Sequence, residues 1–205
     1  MEKLKEYQIG LSEIPIKYLE KVPMIPDNMA DDKEFQFLSL VEKSVREFVY
    51  KKGLNLLICS NKVGNGKTTW ATRIGLSYIE NYSQNYMRDC PVLFLNVPSF
   101  LVTKKLSISN NELLDYVNSV EDKIHKADLV IFDDIICDKK VSEYDLDLLY
   151  SWIEYRTSTQ KSCIYTSNVL PDDIEKELGS RLSSRILNYC YKKVILTGED
   201  HRKCL

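Results

Sequence analysis

Leu54 to Thr69 read LNLLICSNKVGNGKTT, an apolar run, a turn holding Gly64 and Gly66, then Lys67, Thr68 and Thr69. Backbone N–H groups of a glycine-rich turn and of a first helical turn lack intrahelical partners. Together with the helix dipole they hold phosphate oxygens. In that pattern Asn61, Val63, Gly64, Asn65, Gly66 and Thr69 line the cradle, Lys67 reaches the β- and γ-phosphates of ATP, and the Thr68 hydroxyl faces Mg²⁺. The pattern GxxxxGK[ST] asks for glycine where Asn61 stands. Asn replaces glycine best at positive φ, so the loop is expected to turn there all the same. The alternative is an ordinary strand-to-helix loop that happens to precede Lys-Thr-Thr; the flanking strand and helix patterns favour the phosphate reading.

Hydrolysis needs a metal anchor and a group that orients water. The run LVIF ends in Asp133-Asp134, which makes Asp133 the Mg²⁺ partner, directly or through water, and Asp134 the candidate base or water-positioning acid. Adjacent acids after a strand also form plain turns. Asn168 follows another apolar run with a carboxamide that both donates and accepts, although Asn after a strand is common turn chemistry. Arg181 and Arg185, four apart in GSRLSSRI, share one helical face. They form either a solvated basic face or a pair aimed at a neighbouring subunit's nucleotide.

These groups need elements to position them. Apolar spacing predicts a helix over 34–52 capped by Gly53, a strand over 54–59 and a helix over 67–82. Strands follow at 91–95, 128–132, 162–166 and 193–196, with helices at 99–106, 110–125, 142–158, 171–177 and 180–189. Strands alternating with helices imply a mainly parallel sheet covered on both faces, whose ligand sits outside the strands' carboxyl ends. Tyr78, Tyr82 and Tyr86 recur every four residues and read as a packing stripe. Residues 1–32, broken by Pro15, Pro23 and Pro26, are expected to be an arm with little regular structure; the expected division is this arm over 1–32, a possible partner-binding segment, and one α/β domain over 33–205.

The 205 residues are 44% hydrophobic and 28% charged, as in a globular domain with one substantial core. A net charge of −2 supplies no global field for nucleic acid, so any DNA contact is local. Six cysteines without a CxxC pair argue against zinc and against a disulfide framework. Without an apolar leader or a membrane-length run, the sequence reads as that of a cytoplasmic protein with no membrane partner.

NKVGNGKTT, LVIFDD, YTSN, GSRLSSRI and the closing GEDHR resemble, in this order, the AAA+ ATPase module of the DnaC/DnaI helicase loaders and their IstB-type relatives. The resemblance implies a P-loop NTPase with a five-stranded parallel sheet in the order 5-1-4-3-2 and no C-terminal lid domain. It implies MgATP on Lys67, Thr68 and Asp133, Asp134 at the catalytic acid position, and Asn168 as sensor 1. Arg185 matches the arginine finger, Arg181 its companion, and Arg202 a sensor-2-like arginine. The implied partners are a replicative DnaB-type helicase, single-stranded DNA and further copies of this chain through the ATP interface. The helices after the second strand offer Thr103, Lys104, Lys105, Ser107 and Ser109 to DNA; Lys104-Lys105 is equally an ordinary surface pair. Asn61, and Ile135-Ile136-Cys137 after the acids, depart from the family pattern and bear on hydrolysis rate. The short arm suits a compact, phage-encoded loader. Alternatives are an IstB-like transposition helper and a catalytically weak module that binds and inhibits the helicase.

Overall fold

The computed structural model describes residues 2–20, 22–50, 53–82, 90–136 and 141–200. In chain order the elements are α1 (Glu2–Leu11), a 3-10 turn (Ile16–Tyr18), α2 (Met29–Lys43), α3 (Val45–Tyr50), β1 (Asn55–Cys59) and α4 (Lys67–Tyr82). Then come β2 (Val92–Asn96), α5 (Val97–Ser107), α6 (Asn111–Lys126), β3 (Leu129–Asp133), α7 (Glu143–Ser158), β4 (Ser162–Ser167), a second 3-10 turn (Pro171–Asp173), α8 (Ile174–Asn188) and β5 (Cys190–Ile195). Every recorded strand pair is parallel and the order is β2-β3-β4-β1-β5, the expected sheet read from its other edge.

Alternation along the strands divides the core in two. Leu57, Leu93, Val130, Phe132 and Tyr165 point to the side covered by α5 to α8, while Leu56, Ile58, Phe94, Ile131 and Ile164 point to α2, α3 and α4. All residues of β1, β3 and β4 are buried. A strand buried on both faces reads as a continuous apolar run, which is why these segments are legible in the sequence.

Three local expectations change. The helix expected over 34–52 is split at Ser44, whose backbone N–H and hydroxyl both donate to the Leu40 carbonyl, at 2.9 and 2.7 Å. A serine hydroxyl that bonds back to the preceding turn competes with the helical ladder. The two helices expected over 171–189 are a 3-10 turn and one helix kinked at Gly179, which sits at φ 74° and ψ 164°. The arm is not irregular: its proline-free start forms α1. After α1 the chain runs along the edge of β2, where the Ser12 carbonyl accepts from Phe94 N–H at 2.7 Å. Lys123 ties down the same stretch, donating to Leu11 O at 3.0 Å and pairing with Glu13 at 2.9 Å. Tyr78 is fully buried, as the stripe reading expects. The Tyr82 side chain, Tyr86, Cys137, Cys204 and Arg202 lie outside the described residues.

Arg156, at 0% exposure, fixes the depth of β3 and β4. Its Nη1 donates to Ile124 O and Ala127 O at 2.7 and 3.0 Å, and its Nη2 to Asp128 O and Ser162 O at 3.2 and 2.6 Å. Nε meets Cys163 Sγ at 3.2 Å. The cation therefore sits on the carbonyl end of α6, where helix carbonyls lack partners and the dipole is negative. Arg156→Met keeps an apolar stem and strands those carbonyls. Denaturant unfolding is expected to report a loss of about 3 kcal/mol or more; a loss below about 1 kcal/mol would contradict this role.

Candidate nucleotide site

The site gathers at the carboxyl ends of β1, β3 and β4, and its loop is braced from below. Asn65 Nδ2 donates to Ser60 Oγ at 2.7 Å and to Leu196 O at 3.3 Å, and Lys62 N–H donates to Ser60 Oγ at 3.0 Å. Gly64 and Gly66 take φ of 72° and 92°. Asn61 does not belong to the positive-φ residues, which corrects the expectation that it stands in for a left-handed glycine there. The turn is carried by Gly64 and Gly66, so Asn61 costs the loop no strain. It is exposed on the rim with Val63, while Thr69 is half-buried in the first turn of α4. Lys67 is buried at 5% exposure, its ammonium donating to Lys62 O at 2.7 Å and Asn65 Oδ1 at 3.3 Å.

Asp133 is the point where the elements meet. Its Oδ1 accepts from Thr68 Oγ1 of α4 and Thr166 Oγ1 of β4, both at 2.8 Å, and its Oδ2 accepts from Asn96 Nδ2 at 3.3 Å. The register pairs Asn96 with Asp133 across β2 and β3. The same carboxamide caps α5 by accepting from Ser99 N–H at 3.2 Å. Asp133 is 4% exposed, and among the described residues its partners are these neutral donors, with no cation against it. A buried carboxylate without a countercharge is costly, which is the condition that a divalent ion relieves. The described residues hold no cluster of three or more His, Cys, Asp and Glu for a protein-only metal cage. Mg²⁺ characteristically takes one or two carboxylates with water and substrate phosphate, so Asp133 and Thr68 fit it.

Asp134 sits at φ 52°, a left-handed position that Asp tolerates better than most side chains. Its N–H donates to Thr166 Oγ1 at 2.8 Å, so one hydroxyl locks both acids. Asn168 Nδ2 reaches Asp134 Oδ1 at 3.4 Å. The pair that the sequence separates by 34 positions is thus brought together. Ile135 and Ile136, each 2% exposed, turn down into the core beneath the acids rather than into the site. Burial pushes the Cys59 thiol, at the end of β1, up to about 12. It stays protonated at neutral pH, donates to Val194 O at 3.4 Å and is no nucleophile.

The stretch after β5 is drawn to the loop. Asp31, in the first turn of α2, accepts from Thr197 N–H at 2.9 Å, Thr197 Oγ1 at 2.7 Å and Gly198 N–H at 2.8 Å. Asp27 accepts from Glu199 N–H at 2.8 Å, and Glu199 pairs with Lys62 on the rim. A Cβ on Gly198 would stand 2.7 Å from Asp27 Oδ2, so a larger residue there would make the Asp27 side chain shift. Asn96, Thr166 and Asp31 are the site residues that sequence reasoning missed. Thr166 stood within YTSN, but nothing in spacing tells which carboxylate its hydroxyl meets.

Arg181 and Arg185 are not brought to the chain's own loop by any recorded contact. Arg185 pairs with Glu154 and Arg181 lies over the Tyr150 ring at 4.3 Å, both on α7. Lys104 pairs with Glu121 at 2.7 Å and Lys105 with Asp145 at 2.6 Å. Burial alone would raise the Asp145 carboxyl, but hydrogen bonds from Lys105 and Ser142 hold it below its ordinary value.

The sequence matches no protein-family model and no curated protein. In structure the chain is similar to DnaI, with a TM-score of 0.66 and 21% identity, covering 93% of this chain and 100% of that one. The DnaC helicase loader matches with a TM-score of 0.62 and 18% identity, over 89% of this chain and 100% of that one. The replication initiator DnaA bound to AMPPCP and single-stranded DNA matches with a TM-score of 0.63 and 16% identity, over 90% of this chain and 51% of that one. The chain therefore shares the fold of these proteins, a five-stranded parallel sheet covered by helices on both faces, and a helicase loader, DnaC, stands among its structural neighbours.

Two substitutions separate phosphate grip from metal grip. Lys67→Ala is expected to weaken ATP binding by about ten- to a hundredfold, the loss of a charged hydrogen bond. Asp133→Asn is expected to abolish the gain in affinity that Mg²⁺ brings while leaving affinity in EDTA unchanged. Titration with a fluorescent ATP analogue reads both; equal Mg²⁺ dependence in Asp133→Asn and the parent would remove the metal assignment.

Proposed function

We propose that the chain is an ATPase that helps place a replicative, hexameric DnaB-type helicase on single-stranded DNA. The observation that carries this reading is the convergence of Thr68, Asp133, Asp134 and Asn168 at the mouth of the phosphate loop. The structural likeness to DnaC and DnaI supports the loader role, and the DnaA structure with AMPPCP supports ATP as the nucleotide. Lys67 exchanges its loop carbonyl for a phosphate oxygen, and the loop N–H groups with the α4 N-terminus hold the remaining charge. Thr68 and Asp133 would hold Mg²⁺, which would supply positive charge against the bound phosphates. Asp134 orients the attacking water and accepts its proton, while Asn168 fixes the Asp134 carboxylate.

The switch is differential binding. ATP joins one copy, through Lys67, to the Arg185 of the next, and loss of the γ-phosphate removes that joint. Arg181 assists from the same face, and the Arg202 segment supplies the sensor-2-like arginine. Lys104 and Lys105 contact DNA by exchanging Glu121 and Asp145 for phosphate. Lys105, with a side chain 47% exposed, leads in this, since Lys104 is only 17% exposed.

Affinity capture with the purified chain in ATP and in ADP is expected to retain a replicative helicase in ATP alone. Capture of a transposase instead would favour the IstB-like reading, and nucleotide-independent capture the inhibitor. Reversing both lysines, Lys104→Glu with Lys105→Glu, is expected to reduce the slope of log affinity against log salt by about 1.4 for single-stranded DNA. ATP affinity stays as it was; an unaltered slope would remove these residues from the DNA contact.

A further inference from the structure

The helices α7 and α8 carry a two-rung ladder on their outer face. Tyr150 and Glu154 lie one turn apart on α7, and Arg181 and Arg185 one turn apart on α8, with Arg181 over Tyr150 and Arg185 meeting Glu154 as well as the Tyr150 hydroxyl. The lower rung is a cation over a ring, Arg181 on Tyr150 at 4.3 Å. The upper rung is a forked ion pair: Arg185 Nε donates to Glu154 Oε2 and its Nη2 reaches Oε1 at 3.4 Å. The Tyr189 ring lies 5.8 Å from the same guanidinium on its other side. Beneath the ladder Leu149, Trp152, Ile153, Leu182 and Ile186 are buried together, so the backbone geometry is fixed and only the long side chains are free to re-aim. An open cleft of about 310 Å³ lies alongside, lined by Tyr150, Ser180, Arg181, Ser184 and Arg185.

We propose that Glu154 is a positioning residue that parks Arg185 on its own chain and so sets the ATP-dependent threshold for assembly between copies. The inference rests on the reading of Arg185 as the group that reaches a second copy's triphosphate. Arg185 cannot hold both carboxylate and γ-phosphate with the same fork of donors, so the two compete. A triphosphate with its metal in place presents terminal oxygens that ADP does not, so ATP in the neighbour displaces Glu154 and ADP leaves Arg185 parked. The Arg185 and Glu154 side chains are 30% and 37% exposed. A pair this open to solvent is weak, which makes the device a bias of about two- to fivefold rather than a lock.

The test compares the parent chain, Glu154→Gln, Glu154→Asp, Arg185→Ala and the Glu154→Gln/Arg185→Ala double variant. Sedimentation with an MgATP analogue gives the protein concentration for half-assembly, and nucleotide titration of dilute protein gives the affinity of one copy. Glu154→Gln is expected to lower the half-assembly concentration about threefold, with Glu154→Asp between it and the parent and single-copy affinity unchanged. The double variant is expected to match Arg185→Ala, because the carboxylate acts only through that guanidinium. If Arg185→Ala assembles like the parent, or if no variant assembles, the reading of Arg185 itself falls and the inference with it. If Arg185→Ala fails to assemble while Glu154→Gln assembles at the parent's concentration or a higher one, the inference alone is overturned.

Discussion

The Asp133 carboxylate is the constraint around which the molecule is arranged. One side chain accepts from the first turn of α4, from the end of β4 and from the end of β2, and so fixes three elements that the chain order sets far apart. Each donor has a second duty. Thr68 lies in the first turn of α4, Thr166 also receives the N–H of Asp134, and Asn96 also caps α5. Moving Asp133 therefore displaces the proposed metal anchor, the neighbouring Asp134 and an adjoining helix together. Among the described residues no cation pairs with this buried charge, which is tolerable because the donors are pre-oriented, and that leaves a place where a divalent ion is worth most.

Depth and lateral position are set from elsewhere. Arg156 ties the beginnings of β3 and β4 to the end of α6, and the two strands run in register from Leu129–Ser162 to Phe132–Tyr165, just before Asp133 and Thr166. Asp31 draws the segment after β5 across the start of α2, and Glu199 then reaches Lys62. The phosphate loop is thus bounded on one side by the acids and on the other by a strap from the chain's C-terminal stretch. Both tethers use buried charge, where removal of one partner costs far more than an exposed pair contributes.

Much of this was legible in the sequence because the relevant signals are local. Strands buried on both faces read as apolar runs, Lys67–Tyr82 is a helix with the expected bounds, and the loop motif stands in its expected strand-to-helix context. What was not legible depends on tertiary partners. Arg156 has no sequence signature, since a lone arginine on a helix is ordinarily at the surface. Asn96 belongs to no motif, and its role rests on register. Asn61 was assigned a left-handed backbone that Gly64 and Gly66 supply instead. In the arm, Pro15, Pro23 and Pro26 are the strong local signals, and the proline-free α1 with its continuation along the β2 edge depends on tertiary contacts instead.

The central claim is that triphosphate occupies this loop with its metal tethered at Asp133. It is tested most directly by a crystal structure with a non-hydrolysable ATP analogue and Mg²⁺. The account predicts that Lys67 leaves the Lys62 carbonyl for a phosphate oxygen and that the ion stands about 2.0–2.1 Å from Thr68 Oγ1, with Asp133 bound directly or through one water. Triphosphate bound elsewhere, or Lys67 still on the Lys62 carbonyl beside an occupied loop, would contradict it.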